Sequence, residues 1–129
     1  SGLLQNTPTT DPHAGTPTIG TPNGANNVAS VTFVASSAKT DRAMRIRVTA
    51  SGAGAIAAGT DIVTITFASE WKDNNGNSII PAIVGSNGLY AAVSSSTGFT
   101  IQLASGINPT LSQDFSIIVS GGGSGNANN

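Results

Sequence analysis

Cysteine is absent from the 129-residue chain, which excludes a disulfide framework and any thiolate metal site. Charge is nearly as scarce. Asp, Glu, Lys and Arg make up 9% of the residues and the formal net charge is -1, so no electrostatic footprint for nucleic acid or an anionic membrane surface is present. No run approaches the ~20 consecutive apolar residues that span a bilayer, so no membrane insertion is expected. The opening SGLLQNTPTT has neither the basic region nor the apolar stretch of a secretory leader and is not expected to act as one. Aromatic residues are limited to four Phe, one Trp and one Tyr. Ile, Val, Leu and Phe together supply 29 of 129 residues, and much of the remaining apolar content is Ala. A core of such small side chains leaves a lone domain marginal, and oligomerisation is one of the standard remedies.

What is present falls into three zones. Residues 1–27 hold four of the six prolines, Pro8, Pro12, Pro17 and Pro22, among Thr, Asn and Gly. Proline fixes φ and removes a donor, so this stretch reads as an extended linker or shaft segment. Residues 28–120 alternate between β-forming runs and turn signals. VASVTFVA (28–35), AMRIRVTA (43–50), DIVTITFA (61–68), SIIPAIV (78–84), LYAAVS (89–94), GFTIQL (98–103) and DFSIIV (114–119) each carry a period-two pattern. Pro81 places the fourth run at a sheet edge or a bulge. About seven short strands separated by Gly, Asn, Ser and Pro predict an all-β fold, a small antiparallel β-sandwich. Residues 121–129 have almost nothing to bury and read as a flexible Gly/Asn tail.

Groups capable of chemistry are few. The six acids, Asp11, Asp41, Asp61, Glu70, Asp73 and Asp114, fall in loops, at strand boundaries or in the linker, and no spacing pairs them for general acid–base work. They read as turn formers and solubilising residues. His13 is the one histidine, has no serine or acid at a motif spacing, and reads as a solvent-exposed linker residue. DNNGN (73–77) alternates oxygen-bearing side chains, yet its Gly stands fourth and no Glu follows at the twelfth position, so an Asn-Gly turn is preferred over a calcium loop. No catalytic residue, cofactor or metal site is expected. Arg45 and Arg47 share the outer face of one strand and could meet an anionic partner or the acids of a neighbouring subunit. Trp71 and Tyr90 could stack on sugar rings. With Lys72, Asn74, Asn75 and Asn87 they form the set expected to contact a receptor.

The succession RIRVTASGAGAIAAGTDIVTITFASEW, PAIVGSNG, YAAVSSSTGFTIQL and DFSIIVSG resembles the C-terminal β-domain of bacteriophage tail fibre and minor structural proteins. Ala58-Gly59-Thr60, Val63 to Phe67, Pro81 to Val84 and Ser95 to Thr100 carry the resemblance. It implies a non-enzymatic virion structural protein, the fibre-tip or knob domain of a tail or head fibre. Such a domain would be a homotrimer, extracellular on the particle, and able to touch host-surface glycan or protein. The alternative reading is a bacterial immunoglobulin-like module of a surface adhesin or secreted protein. WKDNNGNSIIPA (71–82) looks like the Asp-x-x-Gly-Asn hairpin such modules carry.

Overall fold

The structure, a computed structural model, describes residues 11–121. Eight strands follow in order: β1 (Thr18–Ile19), β2 (Val28–Phe33), β3 (Ala43–Ala50), β4 (Val63–Thr66), β5 (Ala82–Gly85), β6 (Leu89–Ser94), β7 (Gly98–Leu103) and β8 (Ser112–Ser120). They build two four-stranded antiparallel sheets, ordered β1-β4-β7-β6 and β2-β3-β8-β5. This is the expected small β-sandwich, with eight strands rather than about seven.

Period-two patterning decides which side of each strand is dry. Met44, Ile46, Val48 and Ala50 of β3 and Phe115, Ile117 and Val119 of β8 turn inward from the second sheet. Val63 and Ile65 of β4 and Phe99, Ile101 and Leu103 of β7 meet them from the first. Each fully buried Ile, Leu, Val or Phe contributes about 1.5–3 kcal/mol relative to exposure. β5 begins immediately after Pro81 and lies at the edge of its sheet, where a missing backbone donor costs no ladder bond.

The additional strand comes from the stretch expected to be linker. Residues 11–27 lie along the sandwich: Thr18 and Ile19 pair with Thr66 and Ile65, and the Gly20 amide donates to the Thr64 carbonyl at 2.9 Å. Thr18, Ile19 and Gly20 form a proline-free window between Pro17 and Thr21-Pro22, so their backbone is open to an edge pairing. One 3-10 turn (Gly24–Asn26) then leads into β2. The remainder of the linker, residues 1–10, and the tail beyond Gly121 lie outside the described residues.

Candidate functional site

On the outer face of the first sheet, alternation leaves Thr64 and Thr66 of β4 and Thr100 and Gln102 of β7 pointing away from the core. Thr64 and Thr100 stand opposite one another in the register, and their hydroxyl oxygens are hydrogen bonded at 2.7 Å. One row further along, Tyr90 of β6 faces Gln102. The Tyr90 hydroxyl donates to Gln102 Oε1 at 2.9 Å, and Gln102 Nε2 donates to Asp61 Oδ1 at 2.8 Å. A carboxylate only accepts, so Asp61 fixes which end of the Gln102 amide faces it.

Residues 21–24 run beside β4 and raise a wall above this face. The Asn23 amide donates to the Ile62 carbonyl and its Nδ2 to the Asp61 carbonyl, each at 2.9 Å. Between that wall and the Asp61–Thr64 segment lies a trough of about 410 Å³, with Thr100 on its floor. A second depression of about 170 Å³ shares Thr64 and Thr100 with it and extends past Val93 to the Ser95–Gly98 turn. Gly98 is required at that end by the close approach of β4, since a Cβ there would stand 2.5 Å from the Ile65 carbonyl oxygen. Two adjoining hollows on one hydroxyl-rich face form the concave surface on which binding is the natural chemistry.

A different polar cluster is fully buried where residues 11–15 cross the sandwich end. His13 Nδ1 lies 3.2 Å from Asp41 Oδ2, with both side chains inaccessible to solvent. Asp41 also accepts from the backbone of Ala68 at 2.7 Å and of Ser69 at 3.0 Å, while its own amide donates to the His13 and Gly15 carbonyls. The His13 ring stacks on Trp71 with centroids 3.7 Å apart and planes within 7°, and Phe67 meets the indole edge-on. Arg42 lies 5.2 Å from the Trp71 ring centroid and forks onto the Asp11 carboxylate through Nε and Nη2, at 2.8 and 3.1 Å. That guanidinium holds the Asp11 carboxyl below its ordinary range.

Three expectations are corrected here. His13 is buried rather than exposed in a linker, because a planar partner and a carboxyl are both waiting for it. Asp41 is a buried acceptor rather than a solubilising turn residue, and Trp71 is sealed beneath His13, where no receptor can reach it. The other members of the expected contact set do not come together. Lys72, Asn74 and Asn75 sit on an exposed hairpin closed by the Lys72–Ser78 bridge. There the Asp73 carboxylate accepts from the Asn77 and Asn75 amides, which lower its pKa, and Gly76 takes φ +83°. Asn87 occupies a left-handed turn residue before β6, and Tyr90 faces Gln102 at the end of β7 remote from that hairpin.

Arg45 and Arg47 are exposed on β3, as read, but their acid comes from the same chain. Arg47 forks onto Asp114 of β8 at 2.7 and 3.1 Å, which lowers the carboxyl pKa, and Arg45 donates to Ser116. Glu70, Asp73 and Asp114 are engaged in three separate places. The Ser78 and Ser96 hydroxyls hold Glu70, lowering its pKa, and tie the hairpin to the β6–β7 turn. Sequence reading overlooked Asp61, Thr64, Thr100 and Gln102. The signal that finds Thr64, Thr100 and Gln102 is a pair of runs, VTIT and FTIQ, whose outward positions are all polar and hydrogen bonding; Asp61 stands two residues before the first.

No protein-family model, curated protein or solved structure matches the chain.

Proposed function

We propose that the chain is a non-enzymatic attachment module, the tip domain of a virion fibre on a phage tail or head, which self-associates as a homotrimer. The observation that carries this reading is that the segment entering the sandwich and the strand leaving it meet one residue. Asp11 pairs with the Arg42 side chain, and the Val119 amide, two residues before Gly121, donates to the Arg42 carbonyl at 2.9 Å. A module strung in a linear array needs its two ends at opposite poles, which weighs against the adhesin reading despite its Asp73 hairpin. A tip needs only one pole for attachment and leaves the other clear.

The outer face of the second sheet supports self-association. Val84 on edge strand β5 stands opposite Ile118 of β8, and the two side chains are 65% and 55% exposed. Ile80, also exposed, precedes that edge in the chain. Adjacent apolar side chains beside an unpaired strand edge form a surface that another copy of the chain can cover. Light scattering coupled to size exclusion tests the reading across a range of concentrations. A trimer that Ile118→Arg converts to monomer is the expected result, and a monomer at every concentration would overturn it.

A further inference from the structure

We infer that the trough on the first sheet is a binding site for an uncharged polyhydroxylated ligand, a neutral oligosaccharide. The inference deepens the attachment reading by naming the ligand class.

Three properties of the trough lead to this ligand. The first is its hydrogen-bonding character. Thr64 and Thr100 use one of their two hydroxyl hydrogens on each other, which leaves the second hydrogen and spare lone pairs facing the trough. Asp61 spends Oδ1 on Gln102, and among the described residues no donor reaches its Oδ2. Donors and acceptors therefore alternate over a short distance, which matches a molecule whose every hydroxyl both gives and takes a hydrogen bond.

The second property is charge. All five basic residues are elsewhere: Lys39, Arg42, Arg45 and Arg47 on the β2–β3 turn and β3 side, Lys72 on the hairpin. The one acidic or basic side chain lining the trough is Asp61, which opposes a phosphate, sulfate or sialic acid. The third is preparation for binding. Asp61 is held through Gln102 by the Tyr90 hydroxyl, and the opposite wall is pinned to the Asp61 and Ile62 carbonyls by Asn23. Little ordering entropy remains to be lost when a ligand arrives. Tyr90 and Val93, 39% and 64% exposed on the same face, supply the apolar surface against which the C–H face of a pyranose packs. The combined hollows fall in the size range of small-ligand sites.

The test is isothermal titration calorimetry of the full chain with maltotetraose, cellotetraose, mannotetraose and galactotetraose, and with 6'-sialyllactose as the anionic probe. Binding of at least one neutral tetrasaccharide is expected, weakened about tenfold or more by Asp61→Asn and by Thr100→Val. Both variants are checked for an unchanged thermal melt, because both side chains lie on the outer face. Heat only with the sialylated probe, no heat with any probe at millimolar concentration, or affinity untouched by either substitution would overturn the inference. The assembly reading fails separately: a monomer that binds a neutral tetrasaccharide keeps the trough and removes the fibre tip.

Discussion

The buried knot around Asp41 and the open row of Asp61, Gln102 and Tyr90 use similar chemistry in opposite ways. In each, a carboxyl anchors a chain of hydrogen bonds across segments distant in sequence. The Asp41 carboxyl accepts from two backbone amides and pairs with His13 Nδ1, in a site closed by Trp71 and sealed from water. Asp61 is exposed and takes one side-chain donor, and the threonines beside it keep hydrogen-bonding capacity in reserve. A buried polar group has to be satisfied within the fold, since water cannot do it, so the knot's capacity is consumed in holding residues 11–27, a strap along the sandwich. An exposed one can rely on water, and that water is what a ligand displaces.

Substitution at the knot separates the two most sharply. Asp41→Ala removes the acceptor of the buried Ala68 and Ser69 amides and the Nδ1 partner of His13, and is expected to cost about 3–5 kcal/mol in urea denaturation. A loss under about 1 kcal/mol would mean that the knot is not what fixes residues 11–15. Trp71→Ala should cost a comparable ~3–5 kcal/mol by opening a cavity beneath His13. Trp71→Phe should recover most of that loss, because among the described residues the buried indole Nε1 has no acceptor and its removal abandons no hydrogen bond there.

Backbone contact makes Gly98 an intermediate case within the open face. Gly98→Ala pushes a methyl into the Ile65 carbonyl and is expected to destabilise by about 1–3 kcal/mol in the same assay. Acid titration reaches the knot through Asp11 and otherwise acts on the hairpin and the second sheet. Asp11, Glu70, Asp73 and Asp114 all have lowered pKa values, from the Arg42 fork, the Ser78 hydroxyl, the Asn77 amide and the Arg47 fork respectively. Carboxyls lowered in the folded state add stability above their unfolded pKa and lose it as pH falls through the folded value. The melting temperature should therefore be flat near neutrality and decline below about pH 4, with a shallower decline in Asp73→Asn. The smallest effect is expected on the open row: Thr64→Val with Thr100→Val should change stability by no more than about 0.5 kcal/mol. A larger loss would show that the face serves the fold and would remove the contrast.

Much of the sandwich was legible because strand alternation is local. In AMRIRVTA the side chains of Met44, Ile46 and Val48 must share a side whatever the strand pairs with, and Pro81 restricts its own run to an edge. The strap was not legible, because Pro12, Pro17 and Pro22 suggest an unpaired segment, and only the free edge of β4 makes Thr18 and Ile19 a strand. Arg45 and Arg47 were readable as an outward pair. Their acid, 67 positions away from Arg47, was not.

The sequence alone determined the fold class, the inward and outward sides of each long run, and the scarcity of groups able to do chemistry, since these depend on periodicity and composition. The tertiary structure decided which of those groups are spent. His13 and Asp41 are 28 positions apart, and Asp61 and Gln102 are 41 apart, so no short-range pattern records either meeting. Sheet closure brings both pairs together, and access to water makes the first a fastening of the fold and leaves the second open on its surface.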